Sequence, residues 1–196
     1  MNALSKKKKK KGGGKGLWEL RSLVTSINYD FASGKARGSN REKGYDCVPT
    51  NLKIISWNVM GLNEKDKRLQ IRHLIRIWRV DVICLQETKM ELITRGFIKS
   101  IWDCQHVDWV YLSLIGTSGG ILVMWDRRVV EKSEEAVGDF LVSCRFRNVG
   151  DNFEWAFTGV YGPNVDREKR LMWEELASLY IWWNLPWCVG GNFNAI

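Results

Sequence analysis

Leu52–Gln86 reads LKIISWNVMGLNEKDKRLQIRHLIRIWRVDVICLQ, and its rhythm changes twice. Leu52–Trp57 (LKIISW) is short, apolar and β-rich, the pattern of a buried strand. Asn58–Asn63 contains Gly61 and reads as a loop. Lys67–Arg79 then spaces Leu69, Leu74, Ile75, Ile77 and Trp78 near one helical face, which predicts an amphipathic helix. Asp81–Gln86 (DVICLQ) is a second buried strand. Strand, helix and strand in so short a span form a crossover unit with parallel strands, so the fold class is α/β.

Downstream the pattern turns to β. Trp109–Leu114, Gly120–Trp125, Phe140–Phe146 and Phe153–Tyr161 are short runs separated by turn residues. Asp166–Trp183 returns to helix, with Asp166 as its cap and Trp173, Leu176, Leu179 and Tyr180 along one face. Pro186–Gly190 (PWCVG) is a last buried strand. Eleven Trp is many for 196 residues, and most of these rings belong in or beside a core. The Trp-rich stretch Trp173–Trp187 has two readings: core packing, which is the commoner use, and stacking on nucleic-acid bases.

Upstream the character is different. Lys6–Lys11 is an unbroken lysine run followed by Gly12–Gly14, a composition that favours disorder. It suits a nuclear-import or nucleic-acid-binding tail, or equally a solvated leader with no role. Leu17–Ile27 has the makings of a short helix, and Ser33–Gly44 reads as linker. Residues 1–50 are thus a basic leader, and 51–196 are the folded part. Charge draws the same boundary. The leader holds 12 Lys/Arg and 4 Asp/Glu, and the rest holds 18 of each, so the leader carries the whole net charge of +8. The body offers no global charge argument for nucleic acid.

Five Cys, none in a C-x-x-C pair and with no signal peptide before them, read as reduced thiols. The basic N-terminus has no apolar stretch behind it, and no run approaches the roughly 20 apolar residues of a membrane span. The expectation is a nuclear or cytoplasmic protein, not secreted and without membrane partners.

Several polar residues follow directly on apolar strands: Asn58, Glu87, Tyr161 and Asn192. In an α/β protein such positions converge on a cleft at the carboxyl ends of the strands. Their surroundings also resemble a known family. SWNVMGLN (Ser56–Asn63), LQETK (Leu85–Lys89), GVYGPN (Gly159–Asn164) and GGNFN (Gly190–Asn194) resemble, in order, four motifs of the endonuclease/exonuclease/phosphatase superfamily. DWVYLS, SGGILVMWD and WAFTGVYGPN look most like the endonuclease domain of plant LINE-type retrotransposons.

The resemblance implies a two-sheet α/β sandwich flanked by helices, with the site at one end of the sheets. It implies Mg²⁺-dependent phosphodiester hydrolysis, with Mn²⁺ as a substitute ion and DNA as substrate. Glu87 and Asn58 would hold the metal. Asn58, Tyr161, Asn192 and Asn194 would serve the chemistry, with Tyr161 donating to the phosphate or supporting the nucleophile. Asn194 would orient the phosphate as a neutral donor.

Two departures matter. Position 192 is Asn where the family motif has Asp, and an amide cannot serve as general base. The family's later part, with a further Asp/Asn site and a closing Asp-His pair, has no counterpart here. The only histidines, His73 and His106, lie outside matching motifs. The expectation is a sandwich truncated at its C-terminus, with weak or no activity and a need for a partner. The alternatives are a non-catalytic remnant that binds nucleic acid through its lysines, and a phosphatase or abasic-site repair relative on the same fold.

Overall fold

The computed structural model describes residues 52–114 and 119–194. The basic leader, with its expected Leu17–Ile27 helix and Ser33–Gly44 linker, lies outside the described residues.

The opening unit is strand, helix, strand: β1 (Ile54–Asn58), α1 (Lys65–Trp78) and β2 (Val82–Gln86). β1 and β2 run parallel, in register from Ile54 opposite Val82 to Asn58 opposite Gln86. Then come α2 (Arg95–Ile101), β3 (Val107–Leu112), β4 (Ile121–Asp126), β5 (Val130–Val137), β6 (Leu141–Asn148), β7 (Glu154–Tyr161), α3 (Asp166–Trp183) and β8 (Trp187–Asn192). Two four-stranded sheets result, in the orders β1-β2-β4-β3 and β5-β6-β7-β8. Each is antiparallel except for one parallel pair at an edge, β1·β2 in the first and β7·β8 in the second.

The sheets pack face to face, and helices cover their outer faces. Val82, Cys84, Ile121, Val123 and Trp125 of the first sheet meet Val142, Cys144, Phe146, Trp155 and Phe157 of the second. Phe146 touches Trp125 edge-on at 5.3 Å between centroids and Trp155 at 5.2 Å. Such ring pairs add about 0.5–1.5 kcal/mol each beyond the area they bury. Ile71 and Ile75 of α1 and Ile98 and Ile101 of α2 cover the far face of the first sheet. Met172, Leu176 and Leu179 of α3 cover the second. This is the expected two-sheet α/β sandwich.

Two glycines set how closely the sheets approach at their parallel edges. A Cβ on Gly159 of β7 would collide with Cys84 Sγ on β2, and one on Gly190 of β8 would lie 2.9 Å from Ser56 Cβ on β1. The carboxyl ends of β1, β2, β7 and β8 are thereby drawn together.

Several expectations need correction. α2 and β5 were not anticipated. α2 is only seven residues long and contains Gly96, too short for a helical period to show; Thr94 starts it by accepting the Phe97 N–H at 3.3 Å. The core of β5 is charged, and its exposure alternates along an outer strand. Its partly buried residues are held by charge: Glu134 takes Arg145 at 2.6 Å, and Lys132 stands over the Trp125 ring. The buried face of α1 is Ile71 and Ile75, while Leu69 and Ile77 are exposed. Asp166 does not cap α3; it is the first helical residue, after Val165. Its buried face is Met172, Leu176, Leu179 and Trp183, so Trp173 and Tyr180 face outward. Each of these two instead stacks on β8 or just past it, Trp173 on Phe193 and Tyr180 on Trp187, both at 5.6 Å. β8 starts one residue after Pro186, runs on to Asn192, and is half-buried throughout, not a buried strand.

Candidate active site

Asn58 is the last residue of β1, and Glu87 follows the last residue of β2. Because these strands are parallel and in register, both side chains emerge at the same end. Asn58 Nδ2 donates to Glu87 Oε1 at 2.8 Å. Asn58 Oδ1 accepts the Met60 N–H at 3.1 Å, which fixes the amide's orientation by a local turn. Below them Gln86 Nε2, fully buried, donates to Ser56 Oγ at 2.7 Å and so ties the two strand ends together.

The loops that follow are joined backbone to backbone. Val59 N–H reaches Gln86 O, Gly61 N–H reaches Glu87 O and Leu62 N–H reaches Thr88 O, at 2.6 to 2.9 Å. Lys67 Nζ donates to Val59 O at 2.7 Å and ties the first turn of α1 to this loop. Glu87 itself has φ 53°, a left-handed conformation that an ordinary residue adopts at a cost of about 1–2 kcal/mol. Of the seven non-glycine residues with positive φ among those described, Met60, Glu87, Lys89 and Asn194 stand at this end. Strain of this kind gathers where surrounding structure holds a site in place.

The second sheet supplies the rest. Tyr161 and Asn192 are the last residues of β7 and β8 and are register partners. The Tyr161 phenol stands beside the Glu87 carboxylate, both within 3.2 Å of a Cβ placed on Gly119, and near the Asn194 side chain. Burial pushes the phenol's pKa up, and the negative charge of Glu87 beside it pushes it further, against the pull of Asn194. Tyr161 therefore remains a proton donor across the physiological range. Asn194 Nδ2 donates to Gly162 O at 2.6 Å, and Asn192 Oδ1 accepts the Asn194 N–H at 3.1 Å. All five side chains are half-buried, at an open end of the sandwich.

Asn58, Glu87, Tyr161 and Asn194 thus gather at one end of the sandwich. Asn192 joins them through Asn194, and its amide oxygen performs the turn-closing role that a carboxylate would perform. Gly119, within the SGG of the sequence, escaped notice as a site residue. It packs against Glu87 and Tyr161, where a Cβ would lie 3.0 Å from Glu87 Cγ and 3.2 Å from Tyr161 Cε1. Lys67 also escaped notice, because only the fold brings a helix lysine back to the β1 loop.

Among the described residues no group of three or more His, Cys, Asp or Glu side chains gathers. His73 and His106 both lie away from this end. His73 lines a cavity with Asp81 and Asp126, and His106 precedes β3. A hard divalent cation would find one carboxylate, Glu87, and the second lone pair of Asn58 Oδ1. That set fits Mg²⁺, which commonly takes one or two carboxylates and keeps several waters. No helix of the described residues is long and apolar enough to cross a membrane.

Known proteins resemble this chain in sequence and in fold. The chain is 30% identical over 143 residues to an exodeoxyribonuclease of Bacillus subtilis (strain 168), a match that covers 66% of this chain and 52% of that protein. It thus spans about half the length of that relative. The fold matches the catalytic domain of human Nocturnin, solved with a bound sulfate anion, at TM-score 0.56 and 14% identity, covering 73% of this chain and 64% of that one. It also matches a mannosyl-6-phosphatase of Bacteroides thetaiotaomicron VPI-5482 at TM-score 0.55 and 16% identity, covering 72% and 64%. The model of the endonuclease/exonuclease/phosphatase family matches residues 55–196, nearly the whole sandwich, and the chain belongs to that family.

Proposed function

We propose that the chain provides the phosphate- and metal-binding part of a Mg²⁺-dependent DNA endonuclease. The observation that carries this reading is the convergence of Asn58, hydrogen-bonded to Glu87, with Tyr161, Asn192 and Asn194 at the carboxyl ends of parallel strands in both sheets. Kinship with an exodeoxyribonuclease supports DNA as the substrate class. The wording of DWVYLS and SGGILVMWD favours the LINE-retrotransposon branch.

Glu87 would hold the ion with Asn58 Oδ1. A bound Mg²⁺ would polarise a phosphoryl oxygen and stabilise the leaving oxygen. Tyr161, held protonated, would donate to a non-bridging oxygen, and Asn194 would offer a neutral amide where a carboxylate would repel the phosphate. Asn192 keeps the turn but supplies no base. Loss of general acid–base assistance costs a factor of about 100 to 10,000 in rate.

The test is nicking of supercoiled plasmid in Mg²⁺ by the full chain, its Asn192→Asp variant, and Asn192→Asp combined with Glu87→Ala. Asn192→Asp should raise nicking within that range, and Glu87→Ala should abolish it. Nicking that survives Glu87→Ala, or no gain from Asn192→Asp, would overturn this mechanism.

A further inference from the structure

At the other end of the first sheet lies a cavity of about 750 Å³ that takes no part in the candidate active site. Asp81, just before β2, and Asp126, the last residue of the antiparallel β4, mark that end. Four arginines line the cavity. Arg72 and Arg76 come from α1, Arg79 from its left-handed C-cap, and Arg128 from the turn after β4.

Two of these are already engaged. Arg72 pairs with Asp103 and Arg128 with Asp126. Arg76 and Arg79 are exposed and join no ion pair among the described residues. Of the five Lys/Arg of α1, Arg72 and Arg76 line this cavity, while Lys67 and Arg68 reach back to the β1–α1 loop at the opposite end. The pairings with Asp103 and Asp126 account for Arg72 and Arg128. They leave Arg76 and Arg79, at the end of α1, as cations that a ligand could take.

The chemistry of the lining selects a ligand. Guanidinium forks match phosphate oxygens two at a time and are weakly hydrated. Asp103 and Asp126 are neutralised by Arg72 and Arg128, and Asp81 accepts the Lys53 N–H, so an anion belongs beside Arg76 and Arg79. Trp102 gives the wall an apolar surface. We propose that this cavity is a second anion site, in which Arg76 and Arg79 hold the phosphate group of a small phosphorylated ligand.

The full 196-residue chain is titrated calorimetrically with pyrophosphate and, separately, with adenosine monophosphate. EDTA is present so that no metal-dependent binding at Glu87 contributes. The same titrations are run on Arg76→Gln/Arg79→Gln, whose changed side chains are exposed, and on Glu87→Ala. Any weak binding by the lysine run is common to all three proteins. Saturable binding by the wild type and Glu87→Ala, weakened about tenfold or more in the double arginine variant, is the expected result. Tighter binding of adenosine monophosphate than of pyrophosphate would identify a nucleotide, held also through the apolar wall; the reverse order would identify a bare phosphate ligand. Either order upholds the site. No saturable binding to the wild type, unchanged binding in the arginine variant, or loss in Glu87→Ala alone overturns it. Failure of plasmid nicking leaves this result untouched, because the two tests read opposite ends of the sheet.

Discussion

Tyr161 stands beside one carboxylate and one amide, and this makes its titration a reporter of the whole site. Its pKa is raised by burial first, and then by the charge of Glu87 beside it. Removing that charge leaves burial as the main cause. Glu87→Gln should therefore lower the pKa of Tyr161 towards the ordinary phenol value, read by ultraviolet or NMR titration with Tyr161→Phe as the blank. An unchanged titration would mean that Glu87 does not face the phenol in solution. The residues of this group were largely legible in the sequence, because a polar side chain directly after an apolar strand has few other places to point. What the sequence could not display was their connection. Asn58 and Glu87 are 29 positions apart, and only parallel pairing in register brings them to 2.8 Å. Asn192 shows the limit of motif reading. Its missing charge is visible in the sequence, but its retained role as acceptor for the Asn194 N–H is not.

Among the elements, the strands with continuous apolar runs were the easiest to read, and those held by charge the hardest. β2 and β4 are buried on both faces and show plainly as VICLQ and ILVMWD. β5 hides because Glu134 and Lys132 do work that apolar residues do elsewhere: Glu134 binds both Arg145 and the Trp183 indole N–H. The close approach of β7 to β2 was equally invisible, since a glycine announces no partner. That contact predicts a coupled pair of variants. Gly159→Ala should destabilise the chain by about 1–3 kcal/mol through overpacking against Cys84. Cys84→Ala should recover much of that loss, because neighbouring substitutions that relieve one clash are not additive. Thermal or urea unfolding of the two single variants and the double variant measures the coupling. Strict additivity would show that the cost of Gly159→Ala does not arise at Cys84.

For the molecule as a whole, charge and apolar surface are segregated. The net charge of +8 sits in the first 50 residues, and the sandwich is neutral by count. The outer side of α3 meanwhile exposes large apolar residues: Ile181 at 77%, Trp182 at 67% and Tyr180 at 56% of full exposure. Large apolar side chains exposed in this way favour association. Repulsion between basic leaders opposes it at low ionic strength, and salt weakens that repulsion as the Debye length falls to about 8 Å near physiological concentration. Self-association of the full chain should therefore grow as salt is raised, the reverse of what ion-paired contacts would give. Ile181→Lys combined with Trp182→Gln alters only exposed positions and should leave the fold intact while flattening the salt response. Sedimentation velocity across a salt series distinguishes the cases. If the wild type dissociates with added salt, the contact is electrostatic and α3 is not its seat. If the double variant associates as strongly as the wild type, the apolar surface responsible lies elsewhere, and the exposed edge of β8 beside the Trp173 and Tyr180 stacks is the next place to test.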